Sequence, residues 1–216
     1  MLELCCPFGW SGSPGFYDLF ARAIKHVQAK TVDPDDADGS IGPYFAYYWV
    51  DDHIPVEPDI RNRCKTAEFA LKGAIVTVLG PYAINYGKVT KISEEECVLG
   101  VDLDTAGLVV RMPHEKVSKA LTVIDTCLAK TMLSRKDLQA VEGSLRFVAL
   151  CFRPGLAFIQ NIQAQMLLTN KGKRRLAKGT MLDLEFWKMI ITSDLLSTGI
   201  QMDSYCDESI PQVGCV

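Results

Sequence analysis

The spacing of hydrophobic residues first predicts a helix. Apolar residues recur at intervals of three and four over residues 14–30, which is typical of an amphipathic helix. Its apolar positions are Phe16, Phe20, Ala23, Ile24 and Val27. Ser13 is a suitable N-cap residue for this helix, and Pro14 fits its first turn.

The next ordered segment is rich in aromatic residues and ends in two adjacent acids. Residues 44–55 read YFAYYWVDDHIP. We expect residues 44–50 to form a strand and residues 53–56 to return beside it, with Asp51 and Asp52 as the two-residue connection.

The remaining pattern predicts one more mixed segment and then helices only. A second helix is expected from residue 58 to Gly80, followed by strands at residues 97–103 and 108–112. Helices follow near residues 114–130, 135–151, 154–168 and 182–196. The predicted fold class is therefore α+β. It comprises a mixed part (1–112), a helical part (113–197) and a loose tail (198–216).

Composition and charge restrict the function classes. The 216 residues are 48% hydrophobic and carry a net charge of −3, so nucleic-acid binding would need a local basic patch. No apolar run approaches the ~20 residues that span a bilayer, and the first residues lack the charged start of a signal peptide. We therefore expect an intracellular protein that makes no membrane contact. The eight cysteines lack zinc-site spacing.

Asp51 and Asp52 are the first candidate functional residues. Adjacent carboxylates repel each other, and a divalent cation such as Mg²⁺ removes that conflict because it prefers carboxylate oxygens. The alternative is an ordinary polar turn, and these two residues alone favour that alternative.

Several segments together resemble reverse transcriptases of retrotransposons, of the long-terminal-repeat or tyrosine-recombinase type. Residues 7–17, PFGWSGSPGFY, resemble the PFGxxx(A/S)PxxF loop and helix, and residues 49–52, WVDD, resemble the (Y/F)xDD hairpin. Four later segments follow in the family's order: AINYGK (83–88), VLGVDLD (98–104), MPHEK (112–116) and LQAVEGSLRF (138–147). The resemblance covers about residues 5–165.

The resemblance implies an RNA-directed DNA polymerase that transfers nucleotides to a primer 3′-hydroxyl with Mg²⁺ or Mn²⁺. Its partners would be an RNA or DNA template–primer duplex and deoxynucleoside triphosphates. Residues 1–112 would be a partial palm, with antiparallel strands and helices on one face, and residues 113–197 a helical thumb and connection. Asp51 and Asp52 would be catalytic metal ligands.

The family also assigns expected positions to other residues. Leu99 and Gly100 would form the primer grip. Lys88 would lie near the triphosphate, or would be an ordinary exposed lysine. The full set that positions nucleotide and template is Phe8, Gly9, Ser13, Pro14, Trp49 and Lys88.

Two departures change this expectation. Trp49 replaces the usual tyrosine of the hairpin. The family's third aspartate, on a strand before the PFG loop, has no match among residues 1–6, where Glu3 is the only acid. We expect the chain alone to hold metal weakly and polymerise poorly or not at all. It would need the fingers, the rest of the palm and the RNase H segment of the same polyprotein. The alternative function is a non-catalytic relic or scaffold that binds nucleic acid or a polymerase.

A basic segment supplies the local positive charge that the whole chain lacks. Five cations fall within eight residues: Lys171, Lys173, Arg174, Arg175 and Lys178. They would contact template–primer phosphates, or would form a solvated loop between helices.

Overall fold

The computed structural model describes residues 9–36, 39–169 and 172–202. They form a mixed α+β protein that is largely helical, with small antiparallel sheets, which confirms the predicted class. The chain divides into two compact units between Ser93 and Glu94. The boundary predicted near Pro113 differs because the strands before it belong with the helices that follow. In the part of the chain described, no helix has both the length and the apolar character to cross a bilayer.

The first unit contains two helices and one β-hairpin. Its elements are α1 (Ser13–Lys30), β1 (Ala46–Trp49), β2 (Asp52–Pro55) and α2 (Arg63–Leu79). Ser13 is the first residue of α1, and Gly12 takes the N-cap position that was predicted for Ser13. The predicted start of α2 at residue 58 is too early, because Arg61 has a left-handed φ of 54° that a right-handed helix excludes.

Helix α1 buries only part of its predicted apolar face. Ile24 is fully buried and packs with Leu71 and Ala74 of α2. Phe16 and Phe20 remain 53% and 47% exposed, although their spacing predicted a core position. The spacing identified the apolar positions correctly, but only part of that face meets α2.

A buried ion cluster joins the loop after α1 to the start of α2. Arg63 is 2% exposed. It donates through Nη1 to Asp33 Oδ2 at 3.0 Å and through Nε to Glu57 Oε2 at 2.6 Å. Its Nη2 donates to the carbonyl of Gly42 at 3.0 Å. Glu57 also accepts the N–H of Phe45 at 2.6 Å, so the cluster fixes the backbone just before β1.

The second unit packs helices beside a small sheet. Its helices are α3 (His114–Ala129), α4 (Arg135–Val148), a 3-10 helix (Arg153–Ile159), α5 (Gln160–Leu168), α6 (Lys178–Thr192) and α7 (Leu195–Thr198). Its strands are β3 (Glu95–Val98), β4 (Val101–Asp104), β5 (Val109–Arg111), β6 (Met132–Leu133), β7 (Arg174–Arg175) and β8 (Ile200–Gln201). The sheet order is β3-β4-β5-β8, and β6 pairs with β7 in a separate ribbon.

Several predicted elements differ from the observed ones, and the helix predicted at residues 182–196 is observed as α6 and the separate short helix α7. The strand predicted at residues 97–103 is a hairpin, because the turn between β3 and β4 interrupts it. The helix predicted at residues 154–168 begins as a 3-10 helix. The tail predicted as loose contributes β8, which pairs with β5, and residues 203–216 lie outside the described residues.

The core of the second unit forms around Trp187 of α6. This side chain is fully buried, and its indole N–H donates to the carbonyl of Phe158 at 3.1 Å. A Cβ on Gly155 would lie 2.3 Å from the Trp187 ring, so glycine is needed for this close approach. The 3-10 helix is thereby held against α6.

Helix α4 begins with a capping box. Ser134 Oγ accepts the N–H of Asp137, and Asp137 Oδ2 accepts the N–H of Ser134 at 2.8 Å. Lys130 Nζ donates to the other carboxylate oxygen at 2.6 Å. Lys130 and Ser134 together hold the pKa of Asp137 far below its usual range.

Arg63→Met should lower the free energy of unfolding of the first unit by about 3–5 kcal/mol, because it leaves two buried carboxylates without the cation that neutralises them. Denaturant unfolding followed by tryptophan fluorescence measures this change. Lys65→Met, an exposed change on the same helix, should shift the value by no more than about 0.5 kcal/mol. A loss below about 1 kcal/mol in Arg63→Met would contradict a supporting role for the cluster.

Asp137→Asn should destabilise the protein by about 1–2 kcal/mol at neutral pH, since it removes the negative charge that strengthens the capping box and pairs with Lys130. The folded pKa of Asp137 is depressed, so its stabilisation is present above the ordinary carboxyl pKa and declines as pH falls below about 4. Thermal unfolding at pH 7 and pH 3 should show the difference between the two proteins shrinking. A stability difference between the two proteins that does not change with pH would refute the contribution of the Asp137 charge. Asp125→Asn, which breaks an exposed pair with Lys188, is the control.

Candidate functional site

The two adjacent acids lie at the turn of the β1–β2 hairpin, with a register that differs from the prediction. Val50 and Asp51 form the turn, while Asp52 is the first residue of β2 and pairs with Trp49. The predicted connection was Asp51-Asp52, so it is displaced by one residue. Val50 has a φ of 52°, which for a β-branched residue costs about 1–3 kcal/mol and requires support from its surroundings.

The hairpin has one face toward the helices and one toward solvent. Ala46 is buried and Tyr48 is partly buried, whereas Tyr47 and Trp49 alternate with them and are exposed. Because paired residues share a face of the sheet, Asp52 lies on the exposed face beside Trp49, which is 59% exposed. A ligand could therefore reach this carboxylate and this indole ring together.

Two side-chain contacts hold the hairpin against α1. The Tyr48 hydroxyl donates to Asp18 Oδ1 at 2.8 Å, and the other oxygen of Asp18 accepts from Arg22 Nε at 2.7 Å. The Tyr17 hydroxyl lies 3.4 Å from His53 Nε2. These contacts restrain both strands on either side of the strained turn, which supplies the support that Val50 needs.

The electrostatic environment links these contacts to the acids. Burial raises the pKa of Tyr17, and the negative charges of Asp51 and Asp52 raise it further. Burial lowers the pKa of His53, although the same two charges act in the opposite direction. The two carboxylates are thus close enough to act on the ring groups that restrain the hairpin.

Asp51 and Asp52 are suitable Mg²⁺ or Mn²⁺ ligands, but two carboxylates do not fill the coordination sphere of either ion. Both are exposed at the hairpin. Among residues 9–36, 39–169 and 172–202, no group of three or more His, Cys, Asp or Glu side chains is arranged to hold a metal ion. Mg²⁺ is commonly bound by one or two carboxylates together with water and substrate phosphates. The donor set therefore fits a water-rich site that a phosphate ligand would complete.

The other residues predicted to position the nucleotide are, where the structure describes them, at separate places in the first unit. Gly9 has a φ of 89°, and Ser13 and Pro14 open α1. Phe8 lies outside the described residues. Lys88 is exposed after an Asn85–Lys88 turn, and within the described chain it forms no hydrogen bond or ion pair with either aspartate. Both interpretations of Lys88 remain open.

The residues predicted as the primer grip form a tight turn rather than part of a strand. Leu99 and Gly100 connect β3 to β4 and have φ values of 52° and 83°. A Cβ on Gly100 would lie 2.8 Å from Cζ of Phe147, so this turn approaches the α4 side chain closely. The turn is therefore anchored on the helical core of its unit.

The basic segment forms part of a short β-ribbon, here called the basic ribbon and defined as residues 172–175. Arg174 pairs with Leu133 and Arg175 with Met132. Lys173, Arg174 and Arg175 are exposed, and Lys178 is the first residue of α6. Lys171 lies outside the described residues. Arg174 and Arg175 thus have paired backbones, and their side chains are exposed to solvent.

Sequence reasoning did not identify the residues that support these sites. Tyr48 could have been found from the alternation of β1, because it lies on the same face of that strand as the buried Ala46. Gln165 could not, because a buried glutamine in a helix has no distinctive spacing. Gln165 holds the backbone near β7 through hydrogen bonds to Arg175 and Ala177, which are ten and twelve residues away in sequence.

Comparison with known proteins adds no relative. No protein-family model, no curated protein and no solved structure matches this chain.

Gly100→Ala should destabilise the second unit by about 1–3 kcal/mol, because a residue with a side chain is strained at positive φ and its Cβ would meet Phe147. Gly143→Ala on α4, where a Cβ meets nothing within 4 Å, should instead stabilise by about 0.5–1 kcal/mol. Thermal unfolding of the two variants measures both effects. Equal effects of the same sign would contradict the special role of the turn.

Proposed function

We propose that this chain carries part of a reverse-transcriptase polymerase domain, in which Asp51 and Asp52 bind divalent metal ions beside a primer 3′-end and a deoxynucleoside triphosphate. The supporting observation is the supported hairpin. It holds two adjacent carboxylates at a strained turn on the helix that follows the PFG-type loop, with Asp52 on an open sheet face.

The proposal interprets the two units separately. The hairpin with helices on its inward face would belong to the palm, while the helices from α3 onward would belong to the thumb and connection. The β3–β4 turn, anchored on Phe147, would be the primer grip. The observed α+β organisation is compatible with these assignments.

Each group of this chain would have a defined part in nucleotidyl transfer. The metal ions, when bound, would neutralise phosphate charge and activate the primer hydroxyl. Asp51 and Asp52 would hold them, and the contacts of Tyr48 and Tyr17 with α1 and β2 would keep the turn in place. Trp49 would offer an apolar surface beside Asp52. Since this chain supplies two carboxylates to the site, we expect weak metal binding and little or no polymerisation by the chain alone.

A second candidate function is a nucleic-acid-binding scaffold without catalysis. It is favoured by the exposed cations of the basic ribbon, which make no ion pair within the described chain, together with the small number of carboxylates at the hairpin. Such a protein would bind a primer–template duplex without metal, and Asp51→Asn would not change that binding.

Mn²⁺ should broaden the NMR signals of residues near the hairpin, such as Trp49 and His53, and Asp51→Asn should remove most of that broadening. A deoxynucleoside triphosphate with a primer–template duplex should raise the Mn²⁺ affinity, because phosphate oxygens complete the coordination. Asp59→Asn, which removes an exposed acid elsewhere in the first unit, is the matched control. Unchanged broadening in Asp51→Asn would refute the metal site, and metal-independent duplex binding in the same variant would favour the scaffold.

A further inference from the structure

An open cleft of about 570 Å³ lies between the basic ribbon and α5. Its walls include the cations Lys173, Arg174 and Arg175, the apolar residues Met132 and Leu168, and the buried Gln165. The volume falls in the usual range of ligand sites, about 300–1,000 Å³. The cleft combines positive charge with exposed apolar surface.

The cations of the cleft have no acidic partner among the residues that the structure describes. Lys173, Arg174 and Arg175 are exposed, and none forms an ion pair with an acid of the described chain. By contrast, Arg63 and Arg146 each pair with a carboxylate. Three like charges along consecutive residues repel one another, so an anion in the cleft would be favoured.

The backbone that carries these cations is fixed in advance. Gln165 is only 4% exposed; its Nε2 donates to the carbonyl of Arg175 at 2.9 Å, and its Oε1 accepts the N–H of Ala177 at 3.0 Å. Strand β6 pairs with the same segment from the other side. A preorganised site loses less conformational entropy when it binds a ligand.

The apolar wall indicates what kind of anion fits. Met132 and Leu168 are large exposed hydrophobic residues beside the guanidinium groups. A segment made of acidic residues alone would satisfy the cations but leave these surfaces unused, whereas every nucleotide presents both a phosphate and a flat base. Bases of a duplex are stacked inside it, and only an unpaired base can reach such a wall.

We propose that this cleft binds a single-stranded nucleic acid, with backbone phosphates on Lys173 and Arg175, which share the Met132 face of the ribbon, and a base against Met132 and Leu168. The site is separate in sequence and chemistry from Asp51 and Asp52. It does not depend on metal binding by the hairpin.

Fluorescence anisotropy of the full chain with labelled single-stranded RNA and DNA tests binding to the cleft. The oligonucleotides are about 12 nucleotides long, which is within the length that one binding groove covers. Replacing Lys173, Arg174 and Arg175 together by alanine should weaken binding roughly tenfold or more. It should also lower the slope of log affinity against log salt by about 1.4 or more, since two phosphate contacts are lost and each contact with a single strand contributes about 0.7. The matched control, with Lys116, Lys119 and Lys136 changed to alanine, removes the same charge outside the cleft and should keep most of the binding.

Gln165→Met is a second variant, which retains every cation but removes both hydrogen bonds to the ribbon. We expect weaker binding with an unchanged salt slope, because the charges stay and their placement is lost. Circular dichroism confirms that each variant is folded. Wild-type affinity in Gln165→Met would overturn the role of preorganisation, and wild-type affinity and slope in the triple variant would overturn the site itself.

Two further measurements distinguish a single strand from other possible ligands of the cleft. Tighter binding of a duplex of the same length, lost in the triple variant, would overturn the single-strand assignment. Equal competition by a glutamate polymer would overturn the nucleic-acid assignment in favour of an acidic protein. The anisotropy assay contains no divalent metal ion, so failure of the cleft and failure of the metal site are distinguishable results.

Discussion

The first unit depends on one buried guanidinium group. Arg63 meets the carboxylates of Asp33 and Glu57 and the carbonyl of Gly42, so a single side chain at the start of α2 holds the loop that leads to β1. Glu57 transmits this restraint to the backbone N–H of Phe45. A buried charge pair adds little net stability compared with apolar packing, but it tolerates few alternative arrangements, and here it sets where the hairpin begins.

The second unit uses buried polar side chains in the same way. Asp183 accepts both the backbone and the side-chain N–H of Asn161, and Trp187 donates to the carbonyl of Phe158. Gln165 satisfies one carbonyl and one N–H near β7. The first contact satisfies an N–H in the first turn of α5, and the other two order segments without extensive secondary structure of their own, because buried backbone groups need partners. The basic ribbon thereby acquires a defined backbone although it is only two paired residues long.

The proposed metal site combines strain with support. The turn at Val50 has an unfavourable φ, and the contacts from Tyr48 to Asp18 and from Tyr17 to His53 lie on the two strands beside it. The motif identified Asp51 and Asp52 but placed both in the connection, because the sequence does not show at which residue the second strand begins. A one-residue change in register moves Asp52 onto the sheet, where its face is defined by its partner Trp49.

The sequence by itself determined the elements whose signal is local. The spacing of apolar residues and the position of Gly80 identified α1, the end of α2, α3 and the hairpin to within a few residues, because periodicity and turn chemistry act over short distances. Only the tertiary structure decided which apolar residues are buried. Phe16 and Ile24 both belong to the apolar positions predicted for α1, but only Ile24 packs against α2. It also decided the turn at Leu99-Gly100, the ion cluster of Arg63 and the role of Gln165. Each of these depends on a contact between residues distant in sequence, and the geometry of such a contact is set by packing rather than by local preference.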